Sequence, residues 1–511
     1  MKTPVILISA LIMVLWTSIV AGESLVPVGL QKQLLVDDYV LAEKQNITRE
    51  LNKPGKIAVV MKSSVPTDFH ITKQFPSGLP GIGYRTTVLW NEHQEIFQMM
   101  YRASAENLTG YAESKDGINW IKPLISADGK SNLIPYRGKT QGTFYEASFM
   151  IDPTLPWGHP EKYKAAYNPG DPWDCEAALA YSADGIHWTA YHNGKPVTGR
   201  AADTQNQILW DPIGNRYLLM TRTDLGTEGG LKEDRATRIM VHEKGNDLRK
   251  YPTTWKTLTT VTAADPHGKK TSSGVRGLQM EAMTQWIYEN VYFGLMRVLT
   301  VGELTGAEGK VVVKNNDKRP EADVIDFYIG TSRDAVNFDK AWVHVHQPFI
   351  ERGDLGSFDM TMVMGTSEII TRDDEHWIYY MGCDIRHHSG GTIEDKGGQI
   401  GLAKLPLDRF ISQSAKNELG TITTKPFQLE GNTLQVNVDA GKGRFYVEVL
   451  DADCKPITGF TAEDANVYNN IDELRLQPEW KGKNLSALNG KTIRLKFYLL
   501  NAKLYAFQIK K

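Results

Sequence analysis

Hydrophobic and polar positions alternate in short runs over most of the chain, the period-2 signature of strands, and the runs return in a fixed order. Residues 179–188, LAYSADGIHW, show the unit most fully: an alternating strand half, a Ser-x-Asp-Gly turn and an aromatic anchor at Trp188. Asp-Gly supplies the positive-φ position that a tight turn needs. The unit returns as YAESKDGINW at 111–120 and as YIGTSRDAVNF at 328–338, where Ala335 stands for the glycine. A weakened form, RIMVHEKGNDLRKY, occupies 238–251, and GQIGLAKLPLDRF at 398–410 holds the place of a fifth.

Each copy follows a second recurring strand with an aromatic-rich face: FQMMYRA from Phe97, YKAAYNP from Tyr163, YLLMTRT from Tyr217, YFGLMRV from Tyr292 and WIYYMGC from Trp377. One such unit cannot bury both its faces, so repetition at wide, uneven intervals predicts a five-bladed β-propeller, whereas parallel solenoids use shorter, regular periods. A large two-sheet β-sandwich is the competing arrangement. The short strand LLVDDY at 34–39 is expected to join the last blade and close the ring, its Asp37 and Asp38 being a solvated turn or a functional pair. Polar, Lys- and Gly-rich stretches at 262–277 and 299–323 predict long loops able to shape a cleft. From Thr433 the alternation LQVNVDA, FYVEVLDAD, KTIRLKFYLL and KLYAFQIKK, broken by Gly, Asn and Asp turns, predicts a small antiparallel sandwich. The expected fold is thus all-β, with a propeller over 23–420 and a β-sandwich over 421–511.

Residues 1–22 carry one lysine, an apolar run and a small-residue end, the layout of a cleaved secretory signal; this points to a secreted or periplasmic protein with no membrane span in the mature chain. Charge is nearly balanced, with 58 Lys+Arg against 60 Asp+Glu, which argues against a nucleic-acid partner. Cys175, Cys383 and Cys454 are far apart without C-x-x-C spacing, so neither a disulfide framework nor a zinc site is expected.

In a propeller the strand before each aromatic strand lines the axis, so the residues that open those strands converge. Those segments bring Tyr84 and Arg85, Tyr145 and Glu146, Asp203 and Asn206, Glu281, and Asp359. Four carboxylates at one level suit sugar chemistry, in which crowding keeps one acid protonated as proton donor and another ionised as base or nucleophile. Each could equally be a hydrogen-bonded strand-end carboxylate. The pattern requires no cofactor or metal; structural Ca²⁺ in the channel is left open.

The five units, the S-x-D-G-x-x-W strand ends and the closing IGLAKLPLDRF resemble the secreted five-bladed propellers related to arabinanases, β-xylosidases and invertases, often followed by a C-terminal sandwich. The resemblance implies glycoside hydrolysis of an oligosaccharide or polysaccharide at the axis, by an aspartate on the first blade, a supporting aspartate on the second and a later glutamic acid. This chain departs from the pattern: Tyr84 and Arg85 stand where the first aspartate is expected, and the invertase-type Asn-Asp-Pro-Asn signature is absent. Glu146, Asp203, Glu281 and Asp359 remain the catalytic candidates, with Tyr84, Arg85, Tyr145, Asn206, His387 and His388 as substrate contacts.

The departure opens a second reaction class. Arg85 could neutralise a uronate carboxylate by bidentate contact, letting Tyr84, Tyr145, His70, His387 or His388 take the neighbouring ring proton in a dehydratase or lyase elimination. Hydrolysis is placed first and elimination second. A non-catalytic carbohydrate-binding propeller is the leading alternative outside enzymes.

Overall fold

The computed structural model describes residues 24–70, 79–103, 108–137, 144–170, 176–199, 205–225, 234–242, 247–249, 254–263, 277–301, 319–387 and 396–511. The signal-like residues 1–22, the weakened turn at 243–246 and most of the two long-loop stretches lie outside them. The described chain is nearly all β.

Five antiparallel meanders follow one another in chain order. They open with the strands Thr87–Asn91, Tyr145–Ile151, Gln207–Asp211, Leu278–Tyr288 and Met362–Gly365. In each, the aromatic strand pairs directly with the opening strand. Buried side chains tie the opening strands together edge to edge. Thr87 Oγ1 accepts from Phe149 N at 3.3 Å and lies 2.7 Å from Ser367 Oγ, linking the first meander to the second and fifth. Ser148 Oγ donates to Asn206 O. The Gln207 amide then spans three meanders, accepting from Gln285 N at 2.7 Å and donating to the carbonyls of Gln285 and Ser367 at 2.9 Å each. A buried amide or hydroxyl without such partners would cost about 1–3 kcal/mol, so these groups fix the ring rather than merely line it.

Apolar clusters fill the gaps between neighbouring meanders. Leu89, Met100 and Tyr111 of the first pack with Phe149, Tyr163 and Trp188 of the second; Met150 and Leu179 pack with Ile208 and Leu219 of the third. Phe97 and Met99 of the first meet Tyr379 and Leu402 of the fifth, which returns the packing to its start.

The Ser-x-Asp-Gly turns owe their form to local hydrogen bonds. In 182–188, Asp184 Oδ1 accepts from the backbone N–H of Ile186 and His187, Ser182 Oγ accepts from Gly185 N, and the Trp188 indole donates to Gly185 O. The 114–120 turn repeats every one of these bonds. Its Gly117 has φ +73°, and a Cβ there would lie 2.5 Å from Tyr379 Oη, so only glycine fits. Ala335 occupies the same left-handed conformation at φ +62° in the third copy.

Two sequence expectations are corrected here. The strand that closes the last meander is Gly55–Met61, paired with Gln399–Pro406. The LLVDDY segment instead enters the C-terminal sheet: Gln33–Leu34 pairs with Ala506 and Phe507, and Asp37 forms a two-pronged ion pair with Arg333 at 2.9 Å. That ten-stranded sheet also takes in Leu41–Gln45, Thr48–Leu51 and Ile411–Ala415, so it is built from both ends of the described chain and begins before residue 421. It wraps an apolar core of its own around the 19-residue strand Thr433–Asp451. Arg409, bonded to Asn437 Oδ1 at 3.0 Å, and Asn437, bonded to Leu407 O at 2.7 Å, pin it to the ring. No helix among the described residues is long and apolar enough to cross a membrane.

Candidate active site

The ring ties lie at one level, through Thr87, Phe149, Gln207, Gln285 and Ser367. Residues N-terminal to that level on each opening strand form one mouth of the ring. Tyr84, Arg85, Tyr145, Gln205 and Glu281 all belong to it.

Two backbone irregularities aim these side chains. Register slips between Met280 and Ala282, which makes Glu281 the extra residue of a β-bulge; it slips again between Tyr145 and Ser148. Bulges re-aim side chains at the cost of local pairing. Arg85 has φ +56°, an uncommon conformation for a residue with a Cβ, and its turn is held by Thr86 Oγ1 donating to Gly83 O at 2.7 Å and Arg102 N donating to Tyr84 O at 3.2 Å.

Within this mouth Glu281 is buried, with Oε1 3.9 Å from Arg85 Nη2. Burial alone would raise its carboxyl pKa, but Arg85, Arg297, His387 and Arg222 outweigh that and hold it below the usual carboxylate value. Glu281 is therefore ionised at neutral pH. The Arg85 guanidinium lies 5.9 Å from the Tyr84 ring centre and 6.0 Å from that of Tyr145, and Arg102 lies 5.6 Å from both. Burial pushes the Tyr84 hydroxyl well above the ordinary tyrosine range, so it stays a neutral phenol at neutral pH rather than the base that the elimination reading would ask of it, and it donates to Met362 Sδ at 3.5 Å. Arg297 is fully buried on the second strand of its meander and donates to Gln205 Oε1. His387 is anchored by its backbone N–H to Asp323 O at 3.2 Å.

Among the sequence-derived candidates, Tyr84, Arg85, Tyr145, Glu281 and His387 are thus brought together. The side chains of Glu146, Asp203 and His388 lie outside the described residues. Asp359 is engaged elsewhere: its Oδ2 pairs with the partly solvated Lys56 Nζ at 2.6 Å and accepts from Tyr380 Oη at 3.2 Å, inside the fifth meander. Asn206 is a tie of the ring, accepting from Thr221 Oγ1 at 2.7 Å on its amide and from Ser148 on its carbonyl. His70 is exposed on the strand Phe69–His70, paired with Leu79–Pro80. Among the described residues no group of three or more His, Cys, Asp or Glu is placed to hold a metal ion.

Sequence reasoning missed Arg102, Arg222 and Arg297. A signal for them was present: each stands five residues after the aromatic that opens its strand, in FQMMYRA, YLLMTRT and YFGLMRV, with Asn168 and Gly382 at that position in the other two. This repeated arginine follows the same logic as the repeated turn.

No protein-family model matches the chain, and no curated protein matches it by sequence. Solved structures similar to it include an N-acetylgalactosamine deacetylase from F. plautii in complex with blood group B trisaccharide, at 14% identity and TM-score 0.42, over 70% of this chain and 96% of that one. An endo-arabinase from Bacteroides thetaiotaomicron is 12% identical over 64% and 94% of the two chains, with a TM-score of 0.38. An exo-inulinase from Aspergillus awamori is 10% identical over 87% and 98%, with a TM-score of 0.37. Likeness this distant says nothing about the reaction, which must be read from the side chains at the ring mouth.

Proposed function

We propose that the chain is a secreted or periplasmic carbohydrate-active enzyme that processes an oligosaccharide end at the arginine- and tyrosine-walled mouth of the ring, by glycoside hydrolysis. The observation that carries this reading is Glu281: a buried carboxylate on a bulge, kept ionised by the cations around it, in a mouth walled by two tyrosine rings. An ionised carboxylate in that setting serves as base towards water or as nucleophile towards an anomeric carbon. Its proton-donating partner would be Glu146 or Asp203, the other two acidic candidates of the opening segments in the sequence. The tyrosine faces offer apolar surface for a sugar ring, and the guanidiniums hydrogen-bond its hydroxyls or an acidic substituent.

Elimination is the second reading, favoured by Tyr84 and Arg85 standing where the family pattern has an aspartate. Here Arg85 would pair with a uronate carboxylate and a separate acid would help expel the departing oxygen. The base would be His387 or Glu281. One experiment separates the two: mass spectra and near-ultraviolet absorbance after incubating purified protein with neutral and uronate-terminated oligosaccharides. Release of a monosaccharide without new absorbance supports hydrolysis. Loss of one water from an intact uronyl oligosaccharide, with rising absorbance, makes the enzyme a dehydratase. No product from any member of the panel, with saturable binding retained, would make it a binding module.

A further inference from the structure

The opposite mouth of the ring holds a second pocket. C-terminal to the ring ties, the opening strands and the segment after the fifth line a cavity of about 390 Å³ with Met150, Ile151, Trp210, Gln285, Trp286 and Glu368 among its walls. The two indoles are half-buried, and each is braced by an aromatic neighbour. Trp210 meets Tyr217 edge to face at 5.0 Å, and Trp286 stacks on Tyr288 at 5.0 Å. Gln285 is 1% exposed, and its side-chain Nε2 and Oε1 both lack a hydrogen-bond partner among the described residues, although its backbone is fully used in the ring. An unpaired buried amide costs stability, so at a cavity wall it calls for a partner from the cavity side, a ligand or a water.

The walls define the ligand's chemistry. A purely apolar guest would leave the Gln285 amide and the Glu368 carboxyl unsatisfied. An anion finds no cation among the described lining residues, and the one carboxyl group among them is too few to hold a metal ion. What fits is a flat molecule with one apolar face for an indole and a hydroxylated edge for the amide and the acid; the volume suits one sugar ring. We propose that this mouth is a second site, binding a neutral sugar unit between Trp210 and Trp286 with its hydroxyls on Gln285 and Glu368. Burial raises the Glu368 pKa to about 8, so at neutral pH the acid is mostly uncharged and able to donate as well as accept.

The test is a titration of the full-length protein with xylotriose and cellotriose, followed by tryptophan fluorescence and saturation-transfer NMR. Saturable binding is expected at dissociation constants on the order of 1 mM, the weak end of specific recognition. It should survive Arg85→Ala and be at least tenfold weaker in Trp210→Ala. Gln285→Met guards against a folding artefact: it should abolish binding while leaving the unfolding midpoint equal or higher, because it removes an unpaired amide. Three results would overturn the proposal: no saturation; binding that disappears with Arg85→Ala but survives Trp210→Ala; or a Gln285→Met protein that is destabilised, which would assign the amide to buried water alone. Because Arg85 and Glu281 lie at the other mouth, failure here leaves the proposed catalytic reading standing, and the reverse holds too.

Discussion

The two mouths of the ring use the same scaffold to opposite electrostatic ends. On the N-terminal side Glu281 is buried among Arg85, Arg222, Arg297 and His387, and the cations keep it charged. On the C-terminal side Glu368 shares a pocket wall with Met150, Trp210 and Trp286, and desolvation there pushes its carboxyl pKa up to about 8. Carboxylates at the two ends of one ring thus differ in protonation because of what the neighbouring strands place beside them. A charged base suits bond-making chemistry; a neutral acid between indoles suits holding an uncharged ligand.

The sharpest way to break this contrast is to remove the charged member. Glu281→Gln keeps the shape of the side chain but cannot accept a proton or attack carbon, so kcat/KM on whichever oligosaccharide proves to be the substrate should fall on the order of 10²–10⁴-fold. A smaller loss is expected from Arg85→Lys, which keeps the charge but gives up the planar fork and the stacking beside Tyr84 and Tyr145. About a tenfold fall in kcat/KM, mostly in KM, would mark Arg85 as a substrate contact.

A third substitution sets Glu281 against a carboxylate that the sequence ranked beside it. Asp359 is 3% exposed and paired with Lys56, so Lys56→Met should leave a buried charge unpaired. The expected loss is about 1–3 kcal/mol in chemical denaturation, tempered because Lys56 itself is partly solvated, with catalysis per folded molecule unchanged. A large fall in turnover without loss of stability would return Asp359 to the list of catalytic groups. The smallest effect belongs to the turns. Asp184→Ala should cost about 1 kcal/mol by stripping the N–H groups of Ile186 and His187 of their acceptor. Hydrogen bonds hold the Asp334 carboxyl down at about 2 against the burial that opposes them, so its contribution is complete above an unfolded-chain value near 4 and fades as pH falls towards 2. Denaturation midpoints measured down that range should decline more steeply in the wild type than in Asp334→Ala.

What the sequence disclosed follows from how local the cause is. The Ser-x-Asp-Gly turns were legible because serine, aspartate, glycine and tryptophan satisfy one another within seven residues. Glu281 and Arg85 stand out in the sequence as candidates through their place at the head of opening segments. The fate of residues 34–39 was not, because Leu34 pairs with Ala506 across almost the whole chain, and no local pattern distinguishes that partner from a closing blade. The pairing of Asp359 was hidden for the same reason: Lys56 comes from the closing strand some three hundred residues earlier. The repeated arginines are written in the sequence too, but on the aromatic strands beside the opening ones, so only the register of those second strands reveals them.

The most direct test of the central claim is a crystal structure of the Glu281→Gln protein soaked with a slowly turned-over oligosaccharide. The sugar end is expected against Tyr84, Tyr145 and Arg85, with the residue-281 amide within hydrogen-bond reach of the reacting ring. A mouth empty of sugar at saturating substrate, or sugar bound solely between Trp210 and Trp286, would contradict the assignment of chemistry to Glu281.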